Sequence, residues 1–470
     1  MYIYSDIIKM SKKLTSSSHI YTKTRGRNVK KFRKIFTLGL AAIMLGGIFT
    51  GCSQELQNKP QKVESLRGKP NDEVDQENHI KLKVVSMFGG SDPNAPIFED
   101  AIEDFMVSNP NIIIENKSDV ADETWKSNVL TDFAAGNEPD VIQFFTDINS
   151  KTLVEQNKVV SIDEIRSVYP EYGENINLEA LEEAACYDGI EYAIPTHGYY
   201  EGIFCNKDLF EAKGIELPTD WEKLEKAITA FKGEEIIPIA AALGHIPHYL
   251  IENFILAEGG TVEHSNRNIE SVKDTWIKGL NYLKKFNDMG AFPADTATTR
   301  HELAQAQFID KQAAMLIDGS WAIGNIVDKD NTIILPMPGT GNGKKDSSEI
   351  ISGFSSGFYI TRKAWDDPKK RDATVKFVMD MTSTEMIKKL VTAAGGGRPA
   401  ADVGDLSGLT PLGVKGASMA SQAVASDGAI DGWLSRPAWS YLLSKVVDIA
   451  TGTDDSKAVV DQVIALNTMQ

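Results

Sequence analysis

Three short motifs contain residue types found in known catalytic or binding sites. Residues 353–357 read GFSSG, which matches the G-x-S-x-G nucleophile motif of serine hydrolases. That motif needs a helix directly after the serine and a histidine further along the chain. Residues 358–361 (FYIT) are typical of a strand, and the last histidine in the chain is His301. The motif therefore does not indicate a serine hydrolase.

The other two motifs are a histidine pair and a glycine-rich loop. His245 and His248 have a spacing seen in some metal sites, but no third ligand is evident, so we expect no metal. Residues 339–344 resemble a phosphate-binding loop, yet Pro338 and Lys345 stand where that motif needs Gly and Ser or Thr. A glycosidase needs two carboxylates about 5–10 Å apart, and an acid-rich chain offers many. We expect no catalytic residue and no cofactor, with a surface glycosidase as the alternative.

Length and charge limit the kinds of partner. The chain has 470 residues, which exceeds one ordinary domain and fits two lobes plus extra segments. Its formal net charge is −17, although residues 1–51 hold ten Lys or Arg residues and a single Asp, so the remainder is more acidic still. Such a body repels nucleic acid and anionic membrane surfaces. We therefore expect no nucleic-acid partner, and a neutral or cationic ligand is easier to accommodate.

The first 51 residues have the pattern of an export signal. Residues 30–34 are basic, residues 35–49 are apolar, and the run ends in a small-residue stretch before Cys52. The apolar run is short for a membrane span. Its ending, TGCS, resembles a bacterial lipobox, with Phe49 in place of the usual Leu. We expect lipid attachment, including palmitate, at Cys52, and a location on the extracytoplasmic face of the cell membrane.

The segments on either side of this signal have separate interpretations. Residues 1–28 precede a signal that is already complete, so translation from Val29 instead of Met1 is a hypothesis. Residues 52–79 are polar and charged, with almost no large apolar side chains, and are typical of a flexible tether. The tether would connect the lipid to a folded part that begins at Ile80.

Strands and helices alternate from Ile80 onward. Residues 80–88 alternate apolar and polar side chains as a strand does, and residues 96–106 have the spacing of an amphipathic helix. The pattern continues with a strand at 112–115, a helix at 123–135, a strand at 139–142 and a helix at 153–160. This alternation predicts a parallel sheet with helices on both faces. In such sheets, ligands bind at the carboxyl ends of the strands.

A second α/β run follows a predicted hairpin. Residues 187–195 read YDGIEYAIP, in which Asp-Gly indicates a tight turn and Pro195 suits a crossover between lobes. The run continues with a strand at 202–205, helices at 208–213 and 221–231, and a strand at 236–241. Further crossings are expected near residues 336 and 383. The predicted lobes are therefore 80–194 plus about 336–382, and 195–335 plus about 383–470.

Four stretches together resemble the family 1 extracellular solute-binding proteins. Residues 189–224 resemble the family's G-x-x-Y-x-x-P, Y-N-K-x-x-F and G-x-x-x-P-x-T-W segments. Residues 308–321 (FIDKQAAMLIDGSW) resemble F-x-x-G-x-A-A-M-x-x-x-G-x-W, and residues 334–343 and 351–365 resemble its P-x-P segment and Gly-rich return strand. The matches run in the family's order across about 80–470.

The sequence departs from the family pattern at three positions. Cys205, Gln312 and Asp220 stand where Tyr, Gly and Thr are usual. The first two positions concern packing or a turn, so they bear little on function. Cys186 and Cys205 are interpreted as buried thiols, with a disulfide as the alternative.

The resemblance implies a type II periplasmic-binding fold, an α/β protein whose two lobes enclose a ligand cleft and are joined by three crossovers. It implies a receptor that binds a carbohydrate, closes by a hinge motion and delivers the ligand to the permease subunits of an ABC importer without catalysis. We expect a monomer. A ligand-sensing lipoprotein that is not coupled to transport is a further alternative, and the sequence leaves the particular solute open.

Binding a sugar requires aromatic rings against its C–H faces and planar polar side chains for its hydroxyls. Trp321 and Tyr199 match family positions where cleft-facing aromatic residues lie. Adjacent residues of a strand face opposite ways, so Tyr199 and Tyr200 cannot both bind if this part is extended. The expected ligand-binding residues are Gly90, Ser91, Asp92, Phe144, Asp147, Tyr199, Glu201, Trp321, Phe354, Ser355, Arg398 and Trp433.

Overall fold

A computed structural model describes residues 79–468, except for residues 185, 234, 342 and 347. The predicted signal segment, the lipid attachment site at Cys52 and all but the last residue of the predicted tether lie outside the described residues. Among the helices in the described range, none has the length and apolar character needed to cross a membrane. The first described strand begins at Ile80, where the folded part was predicted to begin.

The strands within the described residues fall into three sheets. Their bounds are β1 (Ile80–Val85), β2 (Ile112–Asn116), β3 (Val141–Phe145), β4 (Cys186–Tyr187), β5 (Ile190–Glu191), β6 (His197–Asn206), β7 (Ile237–Ala240), β8 (Ala313–Gly319), β9 (Thr332–Leu335), β10 (Ile350–Gly353), β11 (Ser356–Ile360), β12 (Arg398–Pro399) and β13 (Ser426–Asp427).

The α-helices lie between and after these strands. Their bounds are α1 (Ala95–Ser108), α2 (Glu123–Ala134), α3 (Ile148–Glu155), α4 (Ile162–Arg166), α5 (Leu178–Glu183), α6 (Lys207–Lys213), α7 (Trp221–Phe231), α8 (His248–His264), α9 (Lys273–Met289), α10 (His301–Ile309), α11 (Arg362–Asp366), α12 (Arg371–Met381), α13 (Thr384–Ala394), α14 (Pro411–Gln422), α15 (Arg436–Thr451) and α16 (Ser456–Asn467). Short 3₁₀ turns occupy Ile269–Val272, Ser320–Asn325 and Ile430–Gly432.

The smaller sheet has the strand order β11-β3-β1-β2. Strand β1 runs parallel to both β2 and β3, as the alternating pattern predicted, and β11 is antiparallel to β3. The predicted helix at 153–160 is wrong in its position, because α3 starts earlier and ends at Glu155. The side chain of Asp147 accepts a hydrogen bond from the Asn149 N–H and so caps this start. Asn157 has a positive φ of 51°, which is incompatible with continuing the helix.

The larger sheet is built around the long, buried strand β6. Its order is β13-β10-β6-β8-β7, and β9 and β12 also pair with β6. Strand β7 is parallel to β8, whereas β8, β9 and β10 are antiparallel to β6. Cys205 lies on β6 as a buried free thiol, and burial raises its pKa above the ordinary value.

The two sheets, each covered by helices, form the two lobes of the α/β fold that the sequence predicted. A first crossing was predicted after residue 194; Ile194 bridges to Phe358 of the smaller sheet, and β6 of the larger sheet begins at His197. The crossing expected near 336 lies later, since Ser352 of β10 still pairs with Tyr200 of β6.

The crossing expected near 383 also lies later along the chain. Helix α13 buries Ile387 and Leu390 in the same hydrophobic core as Phe98 of α1, which belongs to the smaller lobe. Sequence patterns reveal that a helix has an apolar face, but they do not say which core receives it. The helix was therefore assigned to the wrong lobe.

Candidate ligand-binding site

A cavity of about 490 Å³ lies where the two lobes meet. Its volume falls within the range of about 300–1,000 Å³ that is usual for small-molecule sites. The smaller lobe and the β10–β11 crossing line it with Ala121, Asp122, Glu123, Lys126, Phe145, Thr146, Asp147, Glu183, Ser352, Gly353, Phe354 and Ser355. The larger lobe lines it with Tyr199, Glu201, Ile246, His248, Tyr249, Glu252, Arg267, Trp321, Ser426, Asp427, Gly428, Ala429, Asp431, Gly432 and Trp433.

The cavity brings together more than half of the residues that the sequence singled out. Those that line it are Asp147, Tyr199, Glu201, Trp321, Phe354, Ser355 and Trp433. Those that lie elsewhere are Gly90, Ser91, Asp92, Phe144 and Arg398. The carboxyl end of β3, the crossing after β10 and the turn after β8 thus meet at one place, as expected for ligand sites of α/β sheets.

Strand alternation explains why Phe144 is not at the cavity. Its ring is fully buried in the smaller lobe, 5.4 Å from the ring centroid of Trp125, and its neighbour Phe145 lines the cavity instead. Successive residues of a strand point to opposite faces. The same rule separates Tyr199, which lines the cavity, from Tyr200, whose ring is packed in a core cluster of the larger lobe.

The loop with Gly90, Ser91 and Asp92 contacts the other lobe away from the cavity. The Asn325 side chain donates a hydrogen bond to the backbone oxygen of Ser91 (3.1 Å). Asp92 accepts one from the backbone N–H of Asn94 (2.7 Å), and burial raises the pKa of Asp92 to about 6. These residues therefore organise the entry to helix α1 rather than the cavity wall.

Arg398 stands behind the cavity wall and supports it. Its guanidinium lies 4.7 Å from the ring centroid of Phe354, which lines the cavity. It also forms ion pairs with Glu179 (2.8 Å) and Glu183 (3.3 Å). Glu183 in turn accepts a hydrogen bond from the backbone N–H of Phe354 (3.3 Å). Arg398 therefore positions Phe354 and Glu183.

Three aromatic rings of the larger lobe form one continuous surface in the cavity. The ring of Trp321 lies 5.7 Å from that of Tyr199 and 5.2 Å from that of Tyr249, with tilts of 45° and 49°. The hydroxyl oxygen of Tyr199 accepts a hydrogen bond from the backbone N–H of Ala429 (2.9 Å), which fixes its ring. Such a surface suits the C–H face of a polar ring compound.

The position of Trp321 is fixed by the two residues that end strand β8. Its Nε1–H donates a hydrogen bond to Oδ1 of Asp318 (2.7 Å), a carboxylate that is fully buried. Any Cβ at Gly319 would overlap the Trp321 ring, so glycine allows this close approach. Asp318 also accepts a hydrogen bond from Gln305 (2.8 Å). The indole is therefore held in place before any ligand arrives.

Two buried carboxylates, Glu201 and Glu252, lie beside this aromatic surface. Glu201 accepts a hydrogen bond from the Asn253 side chain (2.7 Å), and Glu252 accepts one from the backbone N–H of Ile430 (3.0 Å). Burial raises the pKa of Glu201 well above the ordinary range, and the nearby Glu252 raises it further. Burial and then Asp431 do the same to the pKa of Glu252.

Lys126 links the two lobes across the cavity. Its Nζ lies 2.9 Å from Oε1 of Glu123 in its own helix and 3.1 Å from Oδ2 of Asp431 in the larger lobe. Only 4% of Lys126 is exposed, and burial opposes its charged form, yet Asp431 and Glu123 raise its pKa above the ordinary value. Asp147 belongs to the same group of charges. Burial raises its pKa to about 7, with Asp431 adding to the effect.

A set of possible metal ligands overlaps with this ion-pair network. One ligand atom each from Glu123, His248 and Asp431 lies within 4.8 Å of the others. His248 belongs to the histidine pair for which the sequence predicted no metal. Its Nε2 lies 3.4 Å from Oε1 of Glu123. The ammonium of Lys126 already bonds both carboxylates. The set therefore acts as an ion-pair network in this structure.

Sequence reasoning missed most of the helical contributors to the cavity. They are Glu123, Lys126, His248, Tyr249, Glu252 and Asp431. One signal was present in the sequence, because Glu252 and Asn253 interrupt an apolar run in α8, and Glu252 is only 1% exposed in the structure. A carboxylate in such a run is costly unless it has partners or a function. Polar residues on the other helices resemble ordinary surface residues.

One family model and two relatives match this chain. A model of the family described as "Bacterial extracellular solute-binding protein" matches residues 90–385. The chain is 23% identical over 167 residues to the "Multiple sugar-binding protein" of Streptococcus mutans, and 24% identical over 231 residues to the "Probable sugar-binding periplasmic protein" of Brucella melitensis. These matches cover 32% and 47% of this chain, and 40% and 54% of the relatives' lengths.

A solved structure shares the architecture over a longer range. The fold resembles a "Chitin oligosaccharide binding protein" with a TM-score of 0.74 at 20% sequence identity. The match covers 82% of this chain and 98% of that one. Similarity at this level of identity establishes the two-lobed fold.

Proposed function

The chain belongs to the family of bacterial extracellular solute-binding proteins, and on that premise we propose that it is a carbohydrate receptor for an ABC importer. The observation that supports a carbohydrate most directly is the aromatic surface of Tyr199, Tyr249 and Trp321 next to the carboxylates of Glu201 and Glu252. Rings match the C–H faces of a sugar, and carboxylates accept hydrogen bonds from its hydroxyls. The two curated relatives, both called sugar-binding, are consistent with this proposal.

Ligand capture would occur by closure of the two lobes. The smaller lobe contributes Lys126 and Phe145 to the cavity, and the larger lobe contributes Trp321 and Asp431. A sugar touching both lobes binds the closed state better than the open state, so it shifts the population toward closure. The closed shape would then be the form that the permease subunits recognise. In this proposal the protein acts as a monomer and leaves the sugar chemically unchanged.

A direct binding screen tests the carbohydrate assignment. We expect the purified protein to melt at a higher temperature with millimolar amounts of a matching sugar or oligosaccharide. A ligand present at about 1,000 times its Kd and bound only by the folded state adds about 4 kcal/mol to the free energy of unfolding. The measurement is a thermal-shift series over neutral and charged sugars and other polar solutes, with the soluble fraction analysed for cleavage products.

Two results of the screen would contradict the proposal. A sugar that is hydrolysed during the assay would indicate a glycosidase. A set of non-sugar solutes that raises the melting temperature while every sugar leaves it unchanged would indicate a receptor for another class of ligand.

We further propose that the protein is anchored to the extracytoplasmic face of the membrane through lipid on Cys52. The support is the sequence alone, namely the basic segment, the apolar run and the TGCS ending before a polar tether. We expect the wild-type protein to fractionate with membranes and Cys52→Ala to lose its acyl mass and be found in the soluble fraction or the medium. Intact-mass spectrometry of both forms measures the lipid. An unmodified, membrane-free wild-type protein would refute the anchor.

A further inference from the structure

The charges of the cavity point to a more specific class of ligand. We propose that the carbohydrate taken by this site carries a protonated amine, which is held between Glu201 and Glu252 beside the rings of Tyr199, Tyr249 and Trp321. This proposal rests on the carbohydrate-receptor function and names its substrate class. The proposal is supported by which acids and which aromatic rings of the cavity have a cationic partner within the protein.

Most of the acids that line the cavity already have a partner. The lining contains eight carboxylates but only two permanently cationic side chains, Lys126 and Arg267. Of the eight, six have these partners: Glu123 and Asp431 bond Lys126, Asp427 bonds His264 (2.7 Å), Glu183 bonds Arg398 (3.3 Å), and Asp122 and Asp147 cap helices α2 and α3. Four of the six therefore bond a basic side chain, and the other two lie at helix N-termini, where the helix dipole favours a negative charge.

Glu201 and Glu252 differ from these six because, among the described residues, they neither bond a basic side chain nor cap an α-helix. They accept hydrogen bonds from an amide side chain and from a backbone N–H, which are neutral donors. Within the part of the chain that the structure describes, neither forms an ion pair. Lys126 is near enough to favour ionisation of Glu252, but its ammonium bonds Glu123 and Asp431. The two carboxylates are nevertheless 2% and 1% exposed, so both are removed from water.

The aromatic rings of the cavity also fall into two groups, those with a cation of the protein over the ring and those without one. Phe145, Trp433 and Phe354 each have a cation of the protein over the ring, at 4.3, 4.5 and 4.7 Å from the centroid. These cations are Lys126, Arg267 and Arg398.

The other three rings are Tyr199, Tyr249 and Trp321. None of the described residues places a cation over them. The rings without a cation therefore lie on the same side of the cavity as the two carboxylates without a cation.

An ammonium group on the ligand would interact with both the two carboxylates and the three aromatic rings that lack a cation. It offers three hydrogen-bond donors, its positive charge favours the ionised forms of two acids whose pKa values burial raises, and it is attracted to the faces of aromatic rings. A neutral hydroxyl can donate one hydrogen bond to a carboxylate but cannot offset its charge. The site should therefore discriminate strongly between an amino sugar and its neutral counterparts.

The test compares three saccharides that differ at one group. We would titrate the full chain with β-1,4-linked oligosaccharides of glucosamine, N-acetylglucosamine and glucose, by calorimetry at a pH below the pKa of the sugar amine. We expect the glucosamine form to bind at least about tenfold more tightly than either neutral form, which corresponds to about 1.4 kcal/mol. A simple aliphatic diamine, putrescine, serves as the non-sugar cation.

Each outcome separates this proposal from the proposed function. Neutral oligosaccharides that bind as tightly as the glucosamine form overturn the amine and leave the carbohydrate receptor standing. Putrescine binding without any saccharide binding overturns the carbohydrate receptor, and the substrate class with it. Binding of none of these ligands overturns the amine proposal and leaves the carbohydrate receptor to be decided by the wider binding screen.

Two variants test whether Glu201 and Glu252 cause the preference for the amino sugar over its neutral counterparts. Glu252→Gln keeps an oxygen that can accept from the Ile430 N–H, and Glu201→Gln is the second variant if the first fails to fold. We expect either change to reduce the preference for the amine to less than about threefold, which is below 1 kcal/mol. Glu99→Gln removes one exposed charge on α1, outside the cavity, and should retain the full preference. An unchanged preference in both cavity variants would overturn the proposal.

Discussion

Replacing Trp321 by alanine is expected to weaken carbohydrate binding by at least about 30-fold. The indole is the central ring of the aromatic surface, within 5.7 Å of Tyr199 and 5.2 Å of Tyr249. Truncating an aromatic side chain at the centre of a well-packed contact typically costs about 2 kcal/mol or more, which is a factor of about 30 in Kd. Calorimetric titration of both proteins with the sugar found in the binding screen gives this ratio directly.

A matched variant separates the ring from its hydrogen bond. Trp321→Phe keeps an aromatic face but removes the Nε1–H that donates to the buried Asp318. We expect this variant to bind with an intermediate affinity, because stacking is partly kept and the ring is less well fixed. The melting temperature of each ligand-free variant shows whether the fold is intact. A well-folded Trp321→Ala protein with wild-type affinity would show that the sugar does not lie on this surface.

Replacing Lys126 by methionine is expected to weaken ligand binding by roughly 100-fold through lobe closure. The ammonium is buried between Glu123 and Asp431, which belong to different lobes, and Asp147 lies close by. Removing one member of a buried ion pair typically costs about 3–5 kcal/mol, because the remaining charges lose their partner. The open form lets water reach these carboxylates, so the cost falls mainly on the closed form. Part of the free energy of ligand binding is then used to overcome the added cost of the closed form relative to the open form, so the measured affinity falls.

Three measurements distinguish this mechanism from general destabilisation. Small-angle X-ray scattering over a series of sugar concentrations should show that the variant requires more ligand than the wild type to reach the compact form. Lys158→Met is a matched control, because Lys158 pairs with Glu138 (3.3 Å) inside the smaller lobe and should leave Kd unchanged. Adding Asp431→Asn to Lys126→Met should recover part of the affinity, since one unpaired carboxylate is gone. Equal losses of affinity in both lysine variants would argue against a link between the lobes.

Asp147, Phe144 and helix α13 show how much of the site and fold could be predicted from local sequence patterns. The end of β3 was predicted to face the cleft, and Asp147 lies there because the strand order places the carboxyl ends of parallel strands at one edge. The choice of Phe144 over Phe145 was wrong, because a strand's pattern gives its two faces but not which face meets the core. Lobe membership of α13 was wrong for a similar reason.

The sequence by itself determined the family, the α/β architecture and several cavity residues, such as Tyr199, Glu201 and Trp321, because these depend on local periodicity and on short ordered motifs. Only the tertiary structure decided that Lys126 of one lobe bonds Asp431 of the other, 305 positions away in the chain. The pairing of buried charges depends on which side chains meet and how far water is excluded, and neither quantity is contained in local sequence. The same reason explains why Glu201 and Glu252 were recognisable as fully buried acids without a cationic partner only after the lobes were assembled.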